Sequence, residues 1–130
     1  GFGGNVASAA SSNSAIGVVN YQMLVSQAPE LAGIRETMQT EIKNTRDEFN
    51  EKSKNMNATE KARYYKQLQE RLGNREKELM DPVIKGIEAA IKKVADKKGL
   101  SVVVDKNTVI YGGTDITDEV SKSMTSGAKK

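Results

Sequence analysis

The acidic side chains are the groups in this sequence closest to catalytic chemistry, because paired carboxylates can act as general acid and base. Two clusters qualify by spacing: Asp47, Glu48 and Glu51, and Asp115, Asp118 and Glu119. The partners that such chemistry needs are missing. The chain has no histidine and no cysteine. That removes the commonest general base, the commonest metal ligand and every thiol nucleophile or thiolate ligand. A Ser-His-Asp arrangement cannot be assembled, and no glycine-rich phosphate loop precedes a helix. Both clusters also fall in helical stretches, where carboxylates usually face solvent or cap a helix end. The residues point to a protein that holds a partner rather than to an enzyme, and they call for no cofactor and no metal.

The elements around these clusters follow from hydrophobic spacing. Ala15–Asn20 is a short β-branched apolar run and reads as a buried strand, and Tyr21–Ser26 as one helical turn leaving it. From about Pro29 to Met56 the residues favour helix, with Pro29 suited to a first turn. Leu31, Ile34, Met38, Ile42, Thr45, Phe49 and Met56 recur at spacings of mostly three and four, a narrow seam with charges elsewhere. Asn55–Thr59 interrupts the pattern, with Thr59 as the expected N-cap of a second helix. That helix runs through Ala62, Tyr65, Leu68, Leu72, Glu76, Leu79, Val83, Ile87, Ala90 and Val94, with a bend expected near Leu79–Pro82. Lys97-Lys98-Gly99 closes it with cations and a left-handed glycine. Leu100–Val104 and Thr108–Tyr111 read as two strands, so residues 100–111 are expected to form a β-hairpin. Thr117 is the expected cap of a short helix over 117–124, and residues 125–130 should fray.

Two narrow seams joined by a short turn predict an antiparallel helical hairpin over 29–98, inserted between short strands at 15–20 and 100–111. The fold class is therefore α+β. The first helix, about 27 residues, would be roughly 40 Å long. Three short strands and one helical root give little core for one chain. The composition agrees: two Phe, four Tyr and no Trp in 130 residues leave few large side chains to fill an interior. The β-part, with Ile16, Val18, Leu100, Val102, Val104, Val109 and Tyr111, is expected to be buried by other copies of itself.

Gly1–Ser14 is Gly, Ala, Ser and Asn with little else and reads as a mobile tail. Ala7-Ser8-Ala9 is a triplet of the kind that signal peptidase cuts, without the apolar run that should precede it. A signal remnant and a plain linker both fit. The formal net charge of +3 is small and dispersed. It favours acidic partners and peripheral contact with an anionic membrane surface, and does not indicate nucleic acid.

In its order of strand, long helical hairpin and C-terminal strand pair, the chain resembles the Skp/OmpH family of exported chaperones. The resemblance rests on Ile16-Gly17-Val18-Val19-Asn20, on Leu100-Ser101-Val102-Val103-Val104-Asp105, on Thr108-Val109-Ile110-Tyr111 and on Asp115-Ile116-Thr117. It covers residues 15 to about 124, and the arms look shorter than in the best-known members. It implies a periplasmic homotrimer with a shared β-body. Its helical arms would enclose a cavity that holds unfolded outer-membrane or exported proteins without ATP.

For such a holdase, Met38, Phe49, Met56, Tyr64 and Tyr65 are the candidate client contacts, because methionine and tyrosine adapt to varied surfaces. Lys61 and Arg63, with Lys66, Arg71 and Arg75, would attract acidic clients. Met38, Phe49 and Tyr65 lie on the seams and read more readily as interhelical packing. Met56 and Tyr64 lie at the tip or off the seam. The basic residues alternate with Glu60, Glu70, Glu76 and Glu78 and also read as a solvated, self-paired face. Two rival readings remain, a prefoldin-like chaperone and a coiled-coil adaptor gripping one folded partner.

Overall fold

A computed structural model describes residues 15–128. The expectations for the 1–14 tail, including the Ala7-Ser8-Ala9 triplet, and for Lys129 and Lys130 lie outside these residues. The elements in chain order are β1 (Ile16–Val19), α1 (Tyr21–Ser26), α2 (Leu31–Lys52), α3 (Ala58–Lys98), β2 (Val102–Asp105), a 3-10 turn (Lys106–Thr108), β3 (Thr114–Asp115) and α4 (Thr117–Ala128). The chain is thus mostly helical, with one small sheet. It divides into two compact units, one of residues 30–83 and one holding the remainder. The division falls just past Pro82, which α3 accommodates without interruption.

The sheet unit has strand order β2-β1-β3, and both pairings are parallel. Ile16 faces Val102 and Val18 faces Val104 on one side of β1, while Gly17 and Val18 face Thr114 and Asp115 on the other. This corrects the β-hairpin expected over 100–111. Asp105 caps a turn instead, its Oδ1 accepting from the Asn107 N–H and its carbonyl from the Thr108 hydroxyl. Gly112 and Gly113 follow with φ of +87° and +91°, a region open to glycine at no steric cost. The turn and the two glycines carry the chain past residues 109–111, and the third strand forms at Thr114–Asp115. The connection takes the chain from one side of β1 to the other, whereas a hairpin would have paired 108–111 antiparallel with the strand before it.

The core of this unit is built from Val18, Val19, Leu24, Ile87, Ala90, Val94, Ala95, Ile116 and Val120, all less than 9% exposed. The last four turns of α3 supply one wall through Ile87, Ala90 and Val94, a three-four spacing that the sequence shows directly. The end of α3 is a Schellman motif: Gly99, at φ +72°, donates to the Asp96 carbonyl, and Leu100 donates to that of Ala95.

Two helix starts differ from expectation. Asn57, not Thr59, caps α3. Its Oδ1 accepts from the Glu60 N–H at 2.8 Å, and the Glu60 carboxylate accepts from the Asn57 N–H at 3.0 Å. This reciprocal pair is a capping box with Asn in the place of Ser or Thr. Thr117 does not cap α4; its hydroxyl oxygen accepts from the Asn20 N–H at 2.9 Å and its hydroxyl donates to Asp115 at 2.6 Å. The Thr117 side chain therefore ties the exit of β1 to the entrance of α4. The last helix also continues to Ala128, four residues beyond the expected end.

Candidate functional site

Every candidate client-contact residue lies in the unit of residues 30–83, on α2, on the first half of α3 or in the turn between them. The two helices meet mainly through long side chains. Arg71 makes a two-pronged bond to Glu48, with Nη2 to Oε1 at 2.9 Å and Nη1 to Oε2 at 3.3 Å. The Tyr64 hydroxyl donates to Glu48 Oε2 at 2.9 Å. Seven residues earlier on α2, the Glu41 carboxylate accepts from Arg75 Nε at 3.0 Å. Moving back along α2 moves the bonded partner forward along α3. Leu68 and Thr45 are buried between these polar ties, so the shared surface combines a thin apolar line with charged clamps.

Phe49 organises the aromatic residues near the turn. Its ring stacks on Tyr64 with centroids 5.7 Å apart and meets Tyr65 edge-on at 5.8 Å. Both tyrosines meet Phe49, but their exposure runs against the order expected from the seam. Tyr64, placed off the seam, is half-buried and bonded to Glu48. Tyr65, placed on it, is 54% exposed. Heptad spacing misses this because Glu48 offers a hydrogen-bond partner that draws the neighbouring phenol inward. Ile42, absent from the candidates, is 42% exposed. Met38, Phe49 and Met56 are half-buried.

Lys61 and Arg63 are exposed on the first turns of α3 and pair with no described acid. Residues 52–66 carry Lys52, Lys54, Lys61, Arg63 and Lys66 against one acid, Glu60. Arg71 and Arg75 are instead used internally, on Glu48 and Glu41.

The two acidic clusters are likewise structural. Arg71 and Tyr64 hold the Glu48 carboxyl down to about 2, the bond from Arg71 being the larger cause. The Thr117 bonds hold Asp115 below the ordinary carboxylate range. Among the described residues no group of three or more acids is placed to hold a metal, and no helix is long and apolar enough to cross a membrane.

The shift at Glu48 has a sign that can be tested. A carboxyl depressed in the folded state stabilises that state above its unfolded value near 4.5 and loses this contribution as pH falls toward 2. The urea midpoint of the wild-type chain is therefore expected to fall more steeply between pH 5 and pH 2.5 than that of Glu48→Gln, read by circular dichroism at 222 nm. Parallel curves would show that Glu48 adds nothing to the acid dependence.

Of the body residues, Val18 is buried, Leu100, Val104 and Val109 are half-buried, and Ile16 and Val102 are 40% and 49% exposed. Tyr111 is 95% exposed. Residues 60–124 match the family described as outer membrane protein (OmpH-like). That is half of the chain. It takes in nearly all of α3, then β2, the 3-10 turn, β3 and most of α4. The chain belongs to the OmpH-like family. No curated protein matches the chain in a direct comparison. The OmpH-like family is a family of periplasmic chaperones associated with outer-membrane proteins, not a family of enzymes. The match begins at Glu60 of the Asn57–Glu60 cap and ends inside α4, so it includes the Asp115–Thr117 corner that anchors that helix.

Proposed function

We propose that this OmpH-like protein is an ATP-independent holdase that keeps unfolded outer-membrane or other exported proteins from aggregating. In this reading α2 and the first half of α3 form an antiparallel arm. The sheet units of several copies, three as in the family's known members, join into a body, and clients are held between the arms in the periplasm. The observation that carries it is the character of residues 30–83 in a chain of this family. Their exposed apolar groups, Ile42 and Tyr65, are separate and partial rather than one continuous patch. They sit among charges of both signs, which suits weak, reversible contact with many sequences. Contacts repeated on several arms would add as avidity.

The basic run at 52–66 supports a second element of this reading: the turn end of the arm attracts acidic client segments and makes peripheral contact with anionic membrane surfaces. A prefoldin-like or single-partner adaptor role fits the helices alone but gives no reason for membership of this family.

The test is dilution of an unfolded outer-membrane β-barrel protein from urea, followed by light scattering without ATP. A several-fold excess of this protein is expected to suppress scattering, and unchanged scattering overturns the holdase reading. Replacing both Ile42 and Tyr65 by Ser is expected to raise the concentration needed for half-suppression about threefold to tenfold. Each lost partial apolar contact weakens binding by a fraction of the roughly 1.5–3 kcal/mol of a fully buried side chain. Because both side chains are substantially exposed, the variant's helical content should stay near that of the wild type.

A further inference from the structure

Two cations of α2 have no local partner. Three and four residues from Arg46 stand Ile42, Lys43, Phe49 and Asn50, and Arg35 likewise has no acid at these spacings. Those are the positions from which a helix pairs its charges. Both arginines are exposed and pair with no described acid. Arg71 and Arg75 of α3 are, by contrast, taken up by Glu48 and Glu41.

The unpaired arginines share one side of the 30–83 unit with its exposed apolar groups. Thr45 of α2 and Leu68 of α3 are buried and mark the middle of the contact on each helix. At 3.6 residues per turn, Ile42, Arg35 and Arg46 stand about 60–100° to one side of Thr45, and Glu41 and Glu48 about 40–60° to the other. Around Leu68, Tyr65 stands about 60° to one side, and Tyr64, Arg71 and Arg75 about 20–60° to the other. The bonds settle which sides go together, since Glu48 takes Tyr64 and Arg71 and Glu41 takes Arg75. One side is thus closed by paired charges. The other holds Ile42 at 42% and Tyr65 at 54% exposure, with Phe49 of α2 meeting Tyr65. Its charged groups are Arg35, Arg46 and, from α3, Glu76, which is exposed and pairs with no described base.

We infer that the Ile42–Tyr65 side is the one that takes hold of a client, and that its occupant is an extended, unfolded segment with an apolar residue and an acidic residue alternating on one face. Charge complementarity gives the acid, because α2 presents two free guanidinium groups there and no carboxylate. Spacing gives the alternation. Ile42 and Arg46 are about 6 Å apart along the helix axis, and alternate side chains of an extended chain are roughly 6.6 Å apart. An apolar client residue against Ile42 therefore brings a carboxylate two residues on to Arg46, whose planar head accommodates it through two N–H bonds. Arg35 offers the same about 10 Å to the other side of Ile42. The closed side lacks this capacity, since a client acid there would have to displace Glu48 or Glu41. The inference rests on the holdase reading above and names the side and the client chemistry that serve it.

The chain has no cysteine, so single introduced thiols report without background. Gln39→Cys and Gln69→Cys place a thiol on the open side, and Asn44→Cys and Gln67→Cys on the closed side, all at exposed positions. Each variant is given a cysteine-free, unfolded outer-membrane β-barrel protein diluted from urea. Maleimide modification is timed with and without it, beside light scattering. The client is expected to slow modification about fivefold or more at positions 39 and 69, and less than about twofold at 44 and 67. Replacing Arg35 and Arg46 together by Gln is expected to raise the concentration for half-suppression about threefold to tenfold. Lys43→Gln with Lys77→Gln makes the same change of charge on the far sides of the helices and should leave it within about twofold. Suppressed scattering with protection equal on the two sides or greater at 44 and 67, or an arginine variant no weaker than the lysine variant, overturns the assignment of the side and leaves the holdase reading standing. Unchanged scattering overturns both.

Discussion

Gly113→Ala is expected to destabilise the sheet unit by about 2–5 kcal/mol. Two costs add. At φ +91° a side chain is strained by about 1–2 kcal/mol whatever surrounds it. A Cβ at Gly113 would also overlap Val18 Cγ2, and Val18 is held in the buried centre of β1 with strands on both sides. Overpacking of that kind costs about 1–3 kcal/mol more. Gly112 supplies the control. It has nearly the same φ, +87°, and a Cβ added there would meet nothing within 4 Å, so Gly112→Ala should cost only the backbone strain of about 1–2 kcal/mol. The difference between the two urea midpoints measures the clash alone, and equal midpoints would refute it.

Ile116→Ala is the second large effect, at about 2–5 kcal/mol. Ile116 is 0% exposed and joins β3 to α4. Its N–H donates to the Val18 carbonyl at 2.9 Å, and its carbonyl accepts from the Val120 N–H. The substitution keeps both bonds and removes only the side chain, whose Cδ1 lies over Gly17. The cavity therefore opens between the sheet and α4, where the parallel strands leave little freedom to collapse. Hydrogen exchange should show the Val18 and Val19 amides losing protection by more than tenfold, since about 1.4 kcal/mol corresponds to each factor of ten. The amides of α2, in the other unit, should change little. Equal loss of protection in both would mean that the two units unfold as one.

Much of the helical part is legible in the residues. The three-four spacing of Ile87, Ala90 and Val94 names a buried face, and Gly99 after two lysines names a helix end. Both depend on neighbours within two turns. The places where expectation and structure part are those where two local signals compete. Thr59 and Asn57 are both competent caps, and Asn57 prevails because Glu60 stands three residues after it and can return the bond. Tyr64 and Tyr65 differ by one helical position, and the partner offered by Glu48, sixteen residues away, decides which turns inward.

For the candidate contacts the sequence offers residue types, and the structure adds how exposed each one is. Lack of histidine and cysteine is enough to set aside thiol and imidazole chemistry. The charged seams with sparse aromatics are enough to suggest a holding surface. Which groups face outward is a property of packing. Ile42 and Phe49 share a seam in the sequence, yet Ile42 is substantially exposed while Phe49 is gathered between Tyr64 and Tyr65.

The sequence by itself determined that this chain has no thiol or imidazole to react, that its middle is helical and interrupted once near Asn57, and that its apolar β-branched runs at Ile16–Val19 and Val102–Val104 are strands. These follow from composition and from contacts within a few residues. Only the tertiary structure decided how the strands pair. Val102–Val104 and Thr108–Tyr111 look like neighbours in a hairpin because they are close along the chain. Instead β1 takes β2 on one side and β3 on the other, both parallel, and leaves Ile110 and Tyr111 in solvent. That choice compares pairings far apart in sequence, each satisfying the same backbone groups. The turn at Asp105 and the left-handed glycines at 112 and 113 tip the balance, and their effect appears only once β1 is in place to receive the third strand.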